Sequence, residues 1–243
     1  MSHTNQCGFL YSLPFEEYQT LPGLNQSKLK QLLSSPSKQK QGYQIQQAMN
    51  FGNAGHCLLL EPHKFEELYV CAPKTLRRRG KNGKKSWEEF CKLNSGKNVL
   101  TSTEWEQLQK IRKVFHINPK IMQFWKHGET EVSMFWDDVE LGLDCKARMD
   151  WYDADSMKIV DLKFTKSIGK LCNHKLMDQH FSVQAAWYRR GVYQLTGDAC
   201  DFLFIFIEKY SPHIIRVIKA NEEIIRHGEQ TILSAIKRCN NKT

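Results

Sequence analysis

From Glu129 onward the apolar pattern turns to period two, and this alternation restricts the chain more than any other feature. Val132, Met134 and Trp136 alternate with polar neighbours, and Leu141, Leu143, Cys145, Ala147 and Met149 repeat the pattern after a turn at Asp137 and Asp138. Residues two apart on an extended chain share a face, so each run reads as a strand with one buried side. A third strand over 158–164 follows a polar turn around 153–156. Three consecutive strands joined by short turns predict an antiparallel meander.

Helical patterns flank the meander. Leu24 to Leu33 carries leucines at 24, 29, 32 and 33, with Asn25 and Ser27 as caps, and stops before Pro36. Phe51 to Glu61 ends at Pro62 and carries His56. Ser86 to Leu93 and Thr103 to Phe115 follow, the second preceded by Thr101 and Glu104 at capping-box spacing. Beyond the meander, Gln179 to Leu195 reads as a helix closed by Thr196 and Gly197. Strands over 202–208 and 213–219 and a helix from Glu222 to about Arg238 complete the chain. The expected fold class is α/β, a mixed central sheet flanked by helices. At 243 residues, 41% apolar and 11% aromatic, one domain is expected. Its parts are a helical preamble (1–50), a His56-bearing region (51–73), a basic loop (74–85), a helical stretch (86–128) and a sheet core (129–243).

Lysine and arginine number 35 against 26 acidic residues, a formal charge of +9. One segment nearly accounts for it: Lys74, Arg77, Arg78, Arg79, Lys81, Lys84 and Lys85 fall within twelve residues that contain no acid. Such a run reads as a solvated loop, either plain charged surface or a holder of a phosphate backbone. The longest purely apolar stretch, 202–207, has six residues where a spanning helix needs about 20. The first residues lack a basic segment followed by an apolar one. No membrane contact and a cytoplasmic location are therefore expected. The eight cysteines are widely spaced, with no Cys-x-x-Cys pair, and read as core residues and incidental thiols.

Asp150 is expected to end the second strand, and Asp161 and Lys163 share one face of the third. Two carboxylates at adjoining strands repel each other unless a cation lies between them, and a hard divalent ion is the natural occupant. A lysine beside that ion can orient an attacking water and offset charge developing on a phosphate. A second Asp-x-Lys triplet, Asp144-Cys-Lys146, lies within a strand and is expected to pair locally, Asp144 with Lys146 or Arg148.

The run Arg148-Met-Asp150, then Asp161-Leu-Lys163-Phe-Thr165, then Gln184 and Tyr188, resembles the PD-(D/E)XK nucleases of the RecB and lambda-exonuclease type. Leu21-Pro-Gly-Leu24, Ser27-Lys-Leu-Lys30, Ser35-Pro36 and Gly52-Asn-Ala-Gly-His56-Cys-Leu-Leu-Leu-Glu61-Pro62 resemble the exonuclease VIII (RecE) nuclease domain of phages and prophages. The resemblance spans residues 11–225 and implies a restriction-endonuclease-like core. It implies His56, Asp150, Asp161 and the Leu162 carbonyl as ligands of magnesium, with manganese as a substitute. It further implies Lys163 as the catalytic lysine, assisted by Gln184 and Tyr188, alongside the catalytic aspartates Asp150 and Asp161. The chain has aspartate at 161 where many members have glutamate, and Glu131 matches an acidic position on the preceding strand.

The implied activity is metal-dependent exonucleolytic hydrolysis of linear double-stranded DNA, 5′ to 3′, yielding single strands for phage-type recombination in a bacterial host. Implied partners are duplex ends, further copies in a ring, and a single-strand annealing protein. The basic run would hold phosphates. Two other readings stand beside this one: an endonuclease or Cas4-like nuclease of the same fold, and a non-catalytic DNA-end-binding protein. Each residue also has an ordinary role open to it: His56 in a core, Asp150 as a turn cap, Gln184 as helix surface and Tyr188 as a half-buried phenol. Trp187 reads as core, and Glu208 either approaches the site or pairs with Lys209 and Lys219.

Overall fold

Eighteen elements make up the computed structural model, which describes residues 7–33, 43–76, 80–169, 171, 173–178 and 180–240. The first half holds β1 (Gly8–Leu10), α1 (Phe15–Thr20), α2 (Gln26–Leu33), α3 (Tyr43–Leu60), α4 (Pro62–Leu68) and β2 (Tyr69–Cys71). It continues through α5 (Lys81–Leu93), β3 (Asn98–Leu100), α6 (Ser102–His116) and α7 (Pro119–Met122). The second half holds β4 (Glu129–Asp138), β5 (Leu143–Asp153), β6 (Lys158–Thr165), α8 (Asn173–Asp178) and α9 (Phe181–Thr196). It closes with β7 (Asp201–Glu208), β8 (Ile215–Lys219) and α10 (Glu222–Asn240).

Six strands form the main sheet in the order β1-β4-β5-β6-β7-β8, and β2 with β3 forms a small parallel pair. The meander β4-β5-β6 is antiparallel, as its alternation requires. β7 lies parallel to β6, so the connection through α8 and α9 crosses over one face of the sheet. Helices cover both faces. Met134, Trp136, Ala147, Ile159, Phe202, Phe204 and Phe206 pack with residues of α2, α9 and α10. On the other face Trp151, Val160, Leu162, Ile205 and Ile207 pack with residues of α3, α4, α6 and α7. The period-two alternation of β7 divides its side chains between the two cores, so this strand is buried on both sides.

The capping box before α6 is present in both directions: Glu104 N–H donates to Thr101 Oγ1 at 3.2 Å and Thr101 N–H to Glu104 Oε2 at 3.0 Å. Gly197 closes α9 in the left-handed conformation. Two expectations need correction. The preamble is not wholly helical, because β1 joins the sheet edge beside β4. The basic segment is not a loop throughout, because α5 begins at Lys81 and takes in Lys84 and Lys85. Three residues are enough for an edge strand but too few to show a period in sequence. The first turn of α5 is so polar that only its backbone geometry marks it as helix.

Candidate active site

Asp150 sits three residues before the end of β5, not at its terminus as expected. The ladder between β5 and β6 begins at Asp153–Lys158 and stops at Trp151–Val160. Extending that register by one step places Asp150 opposite Asp161, where the two strands part. On the other side of β5, Thr130–Trp151 and Val132–Met149 are paired while the intervening Glu131 and Asp150 are not. Glu131 has a left-handed backbone, φ 57°, which a β-strand residue adopts only at a cost of order 1–3 kcal/mol. The facing of β5 changes across this point: Cys145, Ala147 and Met149 belong to the α9 core, whereas Trp151 belongs to the α3 core. Asp150 thus lies at a fork within the sheet, free of ladder obligations on both edges.

The fork gathers the candidate side chains. Leu162 N–H donates to Asp150 Oδ2 at 2.7 Å, a side-chain substitute for the missing ladder bond. His56 approaches from α3, with Nε2 3.0 Å from the Leu162 carbonyl oxygen and Nδ1 3.5 Å from Asp150 Oδ2. Asp161 is 1% exposed; one of its oxygens pairs with the Lys163 ammonium and the other accepts from Gln184 Nε2 of α9. Tyr188, a turn further along α9, is buried against Phe202. Burial, and then the charge of Asp161, holds its phenol firmly protonated.

Gly55 lets His56 reach this position. A Cβ at residue 55 would lie 2.2 Å from the Phe164 ring, so only glycine allows α3 to rest against β6 at that level. Phe164 in turn packs on His56 and Phe51. Gly52 shows no such crowding.

The electrostatics of the fork call for a cation. Burial, and then the charge of Asp161, pushes the Asp150 carboxyl well above the ordinary carboxylate range. Glu131 is also raised, first by burial and next by Asp150, although Arg148 is bonded to it. Burial and the Lys163 charge lower His56, which favours the neutral imidazole a metal requires. Two carboxylates, one carbonyl oxygen and one neutral imidazole make a donor set suited to a hard divalent ion. Among the described residues no three His, Cys, Asp or Glu side chains already close around one point. The donors engage each other and Lys163 instead, so the ammonium supplies the positive charge that Asp161 needs. The set therefore fits a divalent ion in composition, with Asp150, Asp161, His56 and the Leu162 carbonyl as its holders.

The second triplet is structural. Asp144 is exposed, while Lys146 is 2% exposed and donates to the carbonyls of Tyr18 at 2.8 Å and Leu21 at 2.6 Å, capping the end of α1. The expected local pairing of Asp144 with Lys146 or Arg148 is absent, because Arg148 bonds Glu131, Ser133 and the Leu13 carbonyl. Trp187 is core, 0% exposed, and donates to the Lys146 carbonyl at 3.1 Å. Glu208 accepts from Ile168 N–H at 2.7 Å and so anchors the segment after β6. It does not take the expected partners Lys209 and Lys219, whose ammoniums face Glu104 and Asp201.

In the basic segment, Lys74 pairs with Glu106 at 2.6 Å, and Lys81, Lys84 and Lys85 are exposed on α5. Arg77, Arg78 and Arg79 lie outside the described residues, as does the Ser35-Pro36 pair. Among the described residues, the cations of this segment pair with Glu106 and Glu89 and not with the fork. Lys30 of α2, which the sequence does not single out, also lies near Lys163, the two ammoniums standing 5.9 Å and 5.6 Å from the Phe181 ring centroid. Burial, and then the charge of Lys163, pushes its ammonium down to about 8. In sequence it is one of two lysines in Ser27-Lys-Leu-Lys30, and nothing local separates it from its exposed neighbour Lys28.

The sheet, its two helical layers and the forked Asp150, Asp161 and Lys163 define a protein of the PD-(D/E)XK nuclease fold class. The model of the family "PDDEXK-like domain of unknown function (DUF3799)" matches residues 25–242, and the chain belongs to this family. It is also similar to a solved structure from Eubacterium rectale described as a "Putative exonuclease", at 23% identity and a TM-score of 0.51. That likeness covers 65% of this chain and 63% of the other, and at this identity it speaks for the fold alone. The crystal structure of SSO0001 is similar at 18% identity over 77% of this chain and 85% of that one, but its TM-score of 0.31 carries no argument. No curated protein matches the chain. Among the described residues no helix is long and apolar enough to cross a membrane.

Proposed function

We propose that the protein is a divalent-metal-dependent deoxyribonuclease that hydrolyses linear double-stranded DNA from its ends. The observation that carries this reading is the register of Asp150 against Asp161 at a fork whose third wall is His56, with Lys163 paired to Asp161. A magnesium or manganese ion bound there would supply Lewis acidity to the scissile phosphate and acidify a water molecule. Lys163 orients the attacking water and offsets the charge that builds on the phosphate oxygens. Gln184 fixes the Asp161 carboxylate so that only one arrangement is offered to the substrate. Tyr188 stays neutral behind it and seals that side against water.

Exonucleolytic polarity of 5′ to 3′, action in recombination beside a single-strand annealing protein, and a ring of identical copies around DNA are expectations from the resemblance and form part of this proposal. The exposed cations of 74–85 would hold phosphates without reading sequence. The test is end-labelled linear duplex against closed circular duplex of the same sequence, with magnesium, with manganese and with chelator. Digestion of the linear form alone, abolished by chelator, is expected. Cutting of the circle would make it an endonuclease, and metal-dependent binding with no product would make it an end-binding protein.

A further inference from the structure

In an unbroken ladder between β4 and β5, Glu131, Ser133, Arg148 and Asp150 would share one face. Ser133 is paired with Arg148, and the same register would set Glu131 opposite Asp150. Glu131 and Arg148 are therefore diagonal neighbours, a separation that long side chains span. From this position Arg148 reaches three acceptors. Its Nε donates to Glu131, and its Nη1 to Ser133 Oγ at 2.9 Å and to the Leu13 carbonyl ahead of α1 at 2.7 Å. The guanidinium is enclosed as well, with the rings of Phe15 and Tyr18 at 6.0 and 5.9 Å.

Glu131 is an acid beside Asp150, so it could serve as a further ligand or as the partner of Arg148. An enclosed guanidinium whose carboxylate leaves for an ion loses its counter-charge, which is costly, and this favours the second role. The backbone shows what that role does. Glu131 is left-handed at φ 57°, while Thr130 and Val132 on either side stay paired to Trp151 and Met149. One residue is thus turned out of a ladder that continues past it. A residue other than glycine keeps such a conformation only where its surroundings fix it, and the bond from Arg148 is that fixture.

The consequence falls on Asp150. With Glu131 on its rung, Asp150 would be held by its backbone and β5 would keep one facing through Trp151. The carboxylate would then lie beside Arg148 under α1, and not 2.7 Å from the Leu162 amide, where it is found.

We propose that Arg148 and Glu131 are positioning residues for the metal site, a clamp that keeps residue 131 off the ladder and so leaves Asp150 free to serve the ion. The inference rests on the nuclease reading and deepens it: Glu131 supports the site and is not a ligand.

The test uses the full chain and reads manganese affinity by calorimetry without DNA, beside the urea unfolding midpoint of each variant. Arg148→Met should weaken manganese binding about tenfold or more, the scale on which outer-shell partners act. Glu131→Gln still accepts from Arg148 and should stay within about threefold of wild type. Glycine takes a positive φ at no steric cost. Arg148→Met/Glu131→Gly should therefore regain most of the affinity that Arg148→Met loses. Its unfolding midpoint should stay low, because Ser133 and the Leu13 carbonyl still lack their donor. Should Arg148→Met fail to fold, Arg148→Lys takes its place in both proteins, since an ammonium lacks the planar fork that reaches these acceptors together.

A greater loss in Glu131→Gln makes Glu131 a ligand and overturns the clamp. Unchanged manganese affinity in Arg148→Met, whatever its stability, reduces Arg148 to packing and overturns it too. So does a double variant that binds no better than Arg148→Met, or a wild type that binds no manganese. Digestion of linear duplex is scored separately. The expected order of affinities in a protein that cleaves no DNA in either metal defeats the nuclease and leaves the clamp. Cleavage by wild type with that order absent defeats the clamp and leaves the nuclease standing.

Discussion

Asp150 and Asp161 occupy the first register step beyond the paired stretch of β5 and β6, and Asp150 Oδ2 accepts the Leu162 N–H that a ladder carbonyl would otherwise accept. The relationship explains how two acids come to share a buried place without being neutralised by the sheet itself. A ladder bond at that step would satisfy the backbone and leave no reason for the carboxylate to turn inward.

Removal of either acid should therefore have consequences that removal of Asp144 lacks. Asp161→Ala and Asp150→Ala are each expected to lower metal-dependent digestion by at least about 10²-fold, on the scale of losing one preorganised electrostatic group. Duplex affinity should persist. Asp144→Ala should digest like wild type, since its side chain is exposed. A second readout is thermal: manganese should raise the unfolding midpoint of wild type and not of the Asp161 variant, because an ion bound only to the native state stabilises it. Full activity in Asp161→Ala would move the chemistry elsewhere.

Gly55 offers a test that touches no ligand directly. In Gly55→Ala the new methyl meets the Phe164 ring, so α3 or Phe164 must shift and His56 loses its reach toward Leu162 and Asp150. Overpacking of this kind costs about 1–3 kcal/mol. Chemical denaturation should show that loss, and digestion should fall with it. Adding Phe164→Leu makes room, and the double variant is expected to recover stability and part of the activity. A Gly55→Ala protein with native stability and turnover would show that close packing of α3 on β6 does not position His56.

How far the sequence discloses this arrangement depends on whether a residue's task imposes a period. β4, the first half of β5 and β6 alternate because one side must be buried, whereas β7 is an unbroken apolar run because it is buried on both sides, and their pairing follows. The alternation fails at Met149-Asp150-Trp151-Tyr152-Asp153, where both tryptophan and tyrosine are buried, because the strand reverses its facing at the fork. That failure is why Asp150 reads as a strand end when it is an interior residue. Asp161, Lys163, Gln184 and His56 are legible through motif spacing. Lys30 is not, since a lysine on an amphipathic helix shows the same pattern whether it meets solvent or another ammonium. The buried role of Lys146 is hidden likewise, because its partners are backbone carbonyls more than a hundred residues away.

The pair of Asp138 and Arg190 ties β4 to α9 away from the fork. Both Asp138 oxygens accept from Arg190, with further bonds from Trp136 Nε1 at 3.4 Å and Leu141 N–H at 3.2 Å. Burial alone would raise this carboxyl, but Arg190 and these donors hold it below its ordinary value. A depressed carboxyl contributes stability that is complete above its unfolded pKa of about 3.9 and lost as pH falls through the folded value. Asp138→Ala should cost about 3 kcal/mol at neutral pH in urea unfolding, since it leaves a half-buried guanidinium short of its partner. The gap between wild type and variant should shrink on acidification below about pH 4. A gap that stays constant or widens there would contradict the assigned role of the carboxylate.

The exposed cations of α5 make the last test, one of binding and not of fold. No residue of this helix is buried, so charge reversal of Lys81, Lys84 and Lys85 to glutamate should change unfolding free energy by no more than about 0.5 kcal/mol. Its effect on duplex binding should be larger. Each phosphate neutralised by the protein releases condensed counterions, and each lost contact makes the plot of log affinity against log salt shallower by about 0.9. Three lost contacts would flatten that slope by nearly three and weaken binding most at low salt. Cleavage at saturating DNA should be less affected, because the three side chains are exposed on α5 and take no part in the fork. Unchanged affinity and unchanged salt slope would return the segment to ordinary solvated surface.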